Sequence, residues 1–145
     1  MKIQAFTVRD NIPTWRPGGI WSYELGIAAL VLWLAECVSR LDEVTDRFTV
    51  PRNIFAWMRG DQNAIALAMC GAAGLIILAY VLRHTCPAMA LCMRVAGLCG
   101  ASLSFCAIAA SFLLHFAWSF GGPAYAFLCW RTLAVAGTIA RCRCP

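Results

Sequence analysis

Charged residues are scarce in this sequence, and acidic ones are the scarcest. Charged side chains make up 13% of the 145 residues, only seven residues are Asp or Glu, and 61% of the chain is hydrophobic. A soluble domain carries about 25% charged residues, most of them on its water-facing surface. The composition therefore excludes an ordinary soluble domain and predicts a protein embedded in a membrane.

Motifs of catalysis and metal binding are also lacking. The sequence has no HExxH, no GxSxG and no CxxC, and its apolar runs hold no pair of carboxylates suited to proton transfer. We therefore expect no enzyme activity, no cofactor and no metal site. Nine cysteines are present, and those within apolar runs are interpreted as small hydrophobes. Cys142 and Cys144, beside Arg143, are read as reduced thiols of the tail, with a metal, a disulfide or an acyl chain as alternatives.

What the sequence has instead is long apolar runs separated by short connections that carry arginine. A hydrocarbon core of about 30 Å is crossed by about 20 mostly apolar residues in a helix. The sequence predicts an all-α integral membrane protein, a single polytopic domain over 1–145, with transmembrane helices at 20–38, 64–82, 97–120 and 123–140. No room remains for a separate soluble domain.

The connection between the first two runs is the only long one. Thr49 as a cap and Pro51 in the first turn are typical of a helix start. The apolar residues that follow predict a short interfacial helix at 51–59 on the outer leaflet. An ordered loop packed on the bundle is the alternative. Aromatic rings favour the headgroup level of a bilayer. The predicted interfacial anchors are Trp15, Trp21, Phe55, Trp57 and Trp118.

The positive residues predict the orientation. Four spans place the N-terminus, the second connection and the C-terminus on one side, which then carries seven of the twelve basic residues. Cytoplasmic segments are enriched in Lys and Arg, so both termini are expected in the cytoplasm. The net charge of +5 is assigned to orientation and to contact with anionic lipid headgroups. We expect a lipid bilayer as partner and no nucleic acid.

Ionisable residues within the spans are candidates for function, because each costs about 2.5–3.5 kcal/mol at a helix centre. Glu24 is expected to reach the interface, and Glu36 to pair with Arg40 four residues on. Arg131 stands in the middle of the fourth run. Pairing with Glu24 or Glu36 is the first expectation for Arg131, and a pore-lining position, snorkelling to the surface or a fourth segment that lies in the interface are the alternatives.

Small and polar residues mark candidate packing faces. The residues predicted to bring helices close together are Ala68, Gly71, Gly74, Gly97 and Gly100. In the third run, Gly97, Ser104, Ser111 and His115 fall on one side at 100° per residue. This polar stripe is expected to hydrogen-bond a neighbouring helix, and lining a channel is the alternative. A homo-oligomer or a membrane-protein partner is expected.

Several short features resemble a known group of proteins. Leu82-Arg83 ends the second run, Arg94 opens a third run that contains glycine, and Gly122-Pro123-x-Tyr125 starts the last. With four spans in so short a chain, the sequence is similar to small membrane proteins of tailed bacteriophages, some of them holins. The likeness covers roughly 20–140. Arginines stand at the tail, where holins commonly have lysines.

That resemblance implies a function and a location. A holin-like protein would accumulate in the bacterial inner membrane, assemble into oligomers and permeabilise the membrane, with the polar stripe and Arg131 as its wetted surface. The alternative is a structural or accessory subunit of a larger membrane assembly, or a phage protein that blocks a host membrane partner.

Overall fold

A computed structural model describes residues 17–40, 61–115 and 120–141 of the chain. Every regular element in these ranges is an α-helix: α1 (Pro17–Ser39), α2 (Gln62–Leu82), α3 (Pro87–His115) and α4 (Gly121–Arg141). The all-α prediction is thereby confirmed for the described residues. The predicted interfacial helix at 51–59 lies outside them.

Three of the four helices are long and apolar enough to cross a membrane. The apolar windows are Ser22–Ser39, Gln62–Leu82 and Pro87–Leu114, in α1, α2 and α3 respectively. The fourth helix has 21 residues but is not among the candidate spans, and the charged Arg131 lies at its centre. The predicted fourth run is therefore helical, and its crossing of the membrane stays a prediction.

The helices begin close to proline and glycine, as expected. Pro87 occupies the first position of α3, where its missing N–H is not needed. Cys86 precedes it, and the Cys86 carbonyl accepts a hydrogen bond from the Ala90 amide at 2.9 Å. The sequence predicts a span from residue 97, with a start as early as Met89 as the alternative, and the helix observed from Pro87 agrees with the earlier start to within two residues.

Each helix packs antiparallel against the next in the chain, and α1 also touches α3. The core is built from side chains of all four helices, and its completely buried members include Val31, Ala73, Ile76, Leu98 and Phe105. This topology places the starts of α1 and α3 and the ends of α2 and α4 at one end of the bundle. We call it the basic end, because Arg83, Arg94 and Arg141 lie there.

Candidate functional site

A buried ion pair joins α1 to α3 at the basic end. The Glu24 carboxylate is completely buried, and the Arg94 side chain is 15% exposed. The Arg94 Nε atom donates to Glu24 Oε1 at 2.8 Å and to Oε2 at 2.6 Å, and a terminal nitrogen of Arg94 donates to Oε1 at 2.5 Å. Both carboxylate oxygens are thus bound by one guanidinium group.

The helical period of α1 explains why Glu24 is buried. Ile27, Ala28 and Val31 follow it at the three-, four- and seven-residue spacings of one helix face, and all three are buried. The carboxylate is therefore carried into the core on the packing face. A buried charge is costly unless it is paired and hydrogen-bonded, and the planar guanidinium satisfies both needs in one geometry.

This pair holds together two helices that share little other surface. The interface between α1 and α3 is smaller than that between α1 and α2. An arginine–carboxylate fork fixes orientation as well as distance. The direct contact between α1 and α3 therefore depends mainly on this polar pair, while α2 packs against both helices.

The expectations for the acidic residues are partly wrong. Glu24 does not reach the interface, since it is completely buried, and the contacts observed for Glu24 and Glu36 are with arginines other than Arg131. Arg94 binds Glu24, and Arg40 binds Glu36 with its Nε atom 2.7 Å from Oε1. The Glu36–Arg40 pair is thereby confirmed.

Arg131 lies on the outward face of α4. Its neighbours one turn away, Phe127 and Ala134, are exposed as well, whereas the adjacent Thr132 is completely buried. The phase of α4 is set by its buried residues Thr132, Ala136 and Ile139. Because these face α3 and the core, the Arg131 side chain is turned outward.

The polar stripe of α3 faces the packed interior. Ser111 is 1% exposed, and Ser104 and Ser111 each donate a hydrogen bond to the carbonyl four residues earlier, at 3.0 and 2.9 Å. Gly97 of the same stripe is buried against α2. Within a single chain the stripe is therefore not a wetted surface. His115 is the last residue of α3, and its side chain lies outside the described part.

A different serine makes the hydroxyl contact between helices. Ser102 of α3 donates to the Cys129 carbonyl of α4 at 3.1 Å, and its oxygen lies 3.3 Å from Cys129 Sγ. Three residues further along α4, the buried Thr132 hydroxyl has no hydrogen-bond partner. Ser102 was not predicted, although it stands one turn from Leu98 and nearly one turn from Phe105, both of which are core residues.

We expect Ser102→Ala to weaken the contact between α3 and α4. Interhelical hydrogen bonds in membranes contribute about 0.6 kcal/mol on average and at most about 1.7 kcal/mol. The free energy of unfolding should fall by that amount in a denaturing-detergent titration. Ser104→Ala is the control, because its hydroxyl binds a carbonyl of its own helix. An equal loss in both variants would show that Ser102 has no special role between helices.

The predicted small-residue contacts divide into two groups. A Cβ atom added at Gly97 would lie 2.7 Å from Ile76 Cγ1 and 2.8 Å from the Ala72 carbonyl oxygen, and one added at Gly100 would lie 2.8 Å from Ala72 Cβ. These two glycines let α2 and α3 approach closely, as predicted. The other three, Ala68, Gly71 and Gly74, are exposed on α2, and the two glycines have nothing within 4 Å of an added Cβ. The sequence left open whether these three residues pack within one chain or between copies, and a contact between copies stays a prediction.

Several predicted positions fall outside the described part of the chain. These are Trp15, Phe55, Trp57 and Trp118, together with the side chain of Trp21. Within the described residues seven cysteines are free, and no group of three or more His, Cys, Asp or Glu side chains is arranged to hold a metal ion.

These helices define a class of protein. Three of them can cross a membrane, and large apolar side chains such as Leu67, Leu103 and Leu114 remain more than 70% exposed on their outward faces. A surface this apolar is suited to lipid, so the chain is a membrane-embedded, multi-pass α-helical protein.

No protein-family model, curated protein or solved structure matches the chain. Its function is therefore inferred from its own residues.

Proposed function

We propose that this protein acts without catalysis, by assembly of several copies in the membrane, and that the assembly permeabilises the membrane as holins do. In this proposal α4 is a fourth span. The observation that carries it is the exposure of Arg131 in the middle of α4.

The packing of α4 supports a fourth crossing. At 1.5 Å per residue its 21 residues extend over about 32 Å, close to the thickness of the hydrocarbon core. The helix runs alongside α3, with Gly122 at its start against Leu113 and Cys129 near its middle bonded to Ser102. A helix packed along a crossing helix over this length crosses with it.

An exposed arginine at that depth favours assembly. An arginine at a helix centre costs about 2.5–3.5 kcal/mol in lipid, and covering it with protein or water removes this cost. The carboxylates Glu24 and Glu36 are already bound by Arg94 and Arg40. In an assembly, the exposed side of Arg131 is therefore covered by water or by polar groups other than these two carboxylates.

Arginines within membrane-spanning helices usually face the interior of a helix bundle or a water-filled cavity. Neighbouring copies with Arg131 at their interface would then enclose a hydrated path. The path lies between copies rather than within one, because the serine stripe of a single chain is packed. Permeabilisation follows from this arrangement.

For the orientation we propose that the basic end faces the cytoplasm. Arg83, Arg94 and Arg141 lie at this end. The basic residues of the two terminal segments, Lys2, Arg9, Arg16 and Arg143, belong to the same side when four helices cross. Both termini are then cytoplasmic, in the bacterial inner membrane for a phage protein.

The second candidate is an accessory subunit that packs against a different membrane protein. The outward face of α2 favours it, because Ala68, Gly71 and Gly74 are exposed and allow another helix to approach closely.

The proposal is tested by inducible expression of the chain alone in bacteria, with the membrane potential followed by a voltage-sensitive dye. We expect a sudden collapse of the potential after a delay, because the lesion forms only once enough copies assemble. Arg131→Leu should abolish the collapse, since an apolar interface holds no water. Arg40→Leu is the matched control, an exposed arginine at a helix end, and should keep the collapse.

Both variants must be inserted at the level of the unmodified protein. A stable potential with the unmodified protein fully inserted would contradict permeabilisation, and a crosslink from position 131 to a different protein would then support the accessory role. A collapse of the potential that persists in Arg131→Leu would show that Arg131 does not line the hydrated path.

A further inference from the structure

An open groove of about 570 Å³ runs between α3 and α4. Its floor and walls are apolar, formed by Val95 and Cys99 of α3 and by Trp130, Leu133 and Gly137 of α4. Its volume lies within the range of about 300–1,000 Å³ that is usual for small-molecule sites. The groove therefore has space for a ligand of modest size.

The groove carries one charge, and it lies at the basic end. Arg141 lines the groove and is the last residue of α4. Its side chain is exposed and makes no ion pair with the described residues. Thr138 is the other polar residue of the lining, and its hydroxyl donates to the Ala134 carbonyl of its own helix at 2.9 Å. The groove thus favours a ligand that is apolar along its length and anionic at one end.

The length of the groove matches one leaflet of a bilayer. Trp130 and Arg141 are eleven residues apart, which corresponds to about 16 Å along the helix. Half of the hydrocarbon core measures about 15 Å. If α4 crosses the membrane as proposed above, the groove extends from the middle of the bilayer to the headgroup level of one leaflet, where Arg141 lies.

We propose that this groove binds a membrane phospholipid, with one acyl chain along Val95, Cys99 and Leu133 and the phosphate on the Arg141 guanidinium. Arginine binds phosphate through parallel N–H donors, and basic residues at the surface attract anionic lipids. The inference rests on the proposed crossing of α4 but is independent of permeabilisation.

The charge of the groove favours a lipid over a helix from a second copy. The single cation at one end of the groove matches the single phosphate of a lipid. The described helices of a second copy hold no carboxylate outside the Glu24–Arg94 and Glu36–Arg40 pairs.

The test uses the full chain in mild detergent and measures bound phosphatidylglycerol by native mass spectrometry. Gly137→Leu should abolish binding, because the new side chain occupies the groove while no protein atom lies within 4 Å of its Cβ position. Arg141→Gln should weaken binding about fivefold, the effect of one basic residue at a lipid surface. The matched control is Gly71→Leu, at an exposed position of α2 that is equally unobstructed.

Retention of phosphatidylglycerol by Gly137→Leu would overturn the proposal, and so would equal loss in Gly71→Leu. Loss of a dimer rather than of lipid in Gly137→Leu would assign the groove to a second copy and also overturn it. Lipid binding and membrane potential are separate measurements. If the potential still collapses but no lipid is bound, only the proposed lipid site is contradicted. If lipid is bound but the potential does not collapse, only the proposed permeabilisation is contradicted.

Discussion

Replacement of Glu24 with leucine is expected to lower the free energy of unfolding by about 3–5 kcal/mol, because removing one partner of a buried ion pair is strongly destabilising. Arg94 would remain 85% buried with no carboxylate opposite its Nε atom. The measurement is a titration with denaturing detergent, followed by helical circular dichroism. Arg94→Met should have an effect of similar size, since it leaves the carboxylate buried.

The double variant Glu24→Leu/Arg94→Met distinguishes the contribution of the ion pair from the cost of burying a single charge. Replacing both charges with apolar groups is often neutral or stabilising, so the double variant should lie within about 1 kcal/mol of the original protein. The exposed Glu36–Arg40 pair is the control, and Glu36→Gln should change stability by no more than about 1 kcal/mol. If the losses of stability in Glu24→Leu and Arg94→Met simply add in the double variant, the two side chains are not coupled. The ion pair would then not stabilise the contact between α1 and α3.

Gly97→Ala is expected to lower the free energy of unfolding by about 1–3 kcal/mol, since inserting a methyl group into a close-packed contact forces the neighbours apart. Its Cβ would lie 2.7 Å from Ile76 Cγ1 and 2.8 Å from the Ala72 carbonyl oxygen. The Ile76 side chain can rotate, but the carbonyl belongs to the backbone of α2, so the helices themselves must separate. The same detergent titration measures the loss.

Gly71→Ala and Gly74→Ala provide the controls for this prediction. Neither added methyl group has a protein atom within 4 Å, and alanine is favoured over glycine inside a helix by about 0.5–1 kcal/mol. Both variants should be as stable as the original protein or slightly more stable. A loss at Gly71 equal to that at Gly97 would show that helix flexibility, rather than close approach, is what glycine supplies.

Local features of the sequence predicted the local features of the structure. The Glu36–Arg40 pair is a four-residue spacing within one helix, so its two partners follow from the helical period alone. The start of α4 at Gly121 is two residues from the prediction, because proline and glycine favour a break between helices through their local backbone preferences.

Contacts between distant residues were predicted less well. Arg94 was counted among the charges that flank the third span, and its partner, a carboxylate seventy positions away, was not predicted. The choice between Arg94 and Arg131 as the partner of Glu24 depends on the rotation of α3 and α4 about their axes. Nothing local in the sequence fixes that rotation.

The helical, membrane-embedded character of the chain follows from length and hydropathy, which are sums over neighbouring residues and need no tertiary contact. Three features depend on how the helices pack: Gly97 is in contact while Gly71 is exposed, Ser102 rather than Ser104 bonds to α4, and Glu24 pairs with Arg94. The physical reason is that a membrane helix is apolar on the face toward lipid and on the face toward protein. Hydrophobic periodicity therefore carries little information about which face is buried, and side-chain fit and buried polar contacts decide it.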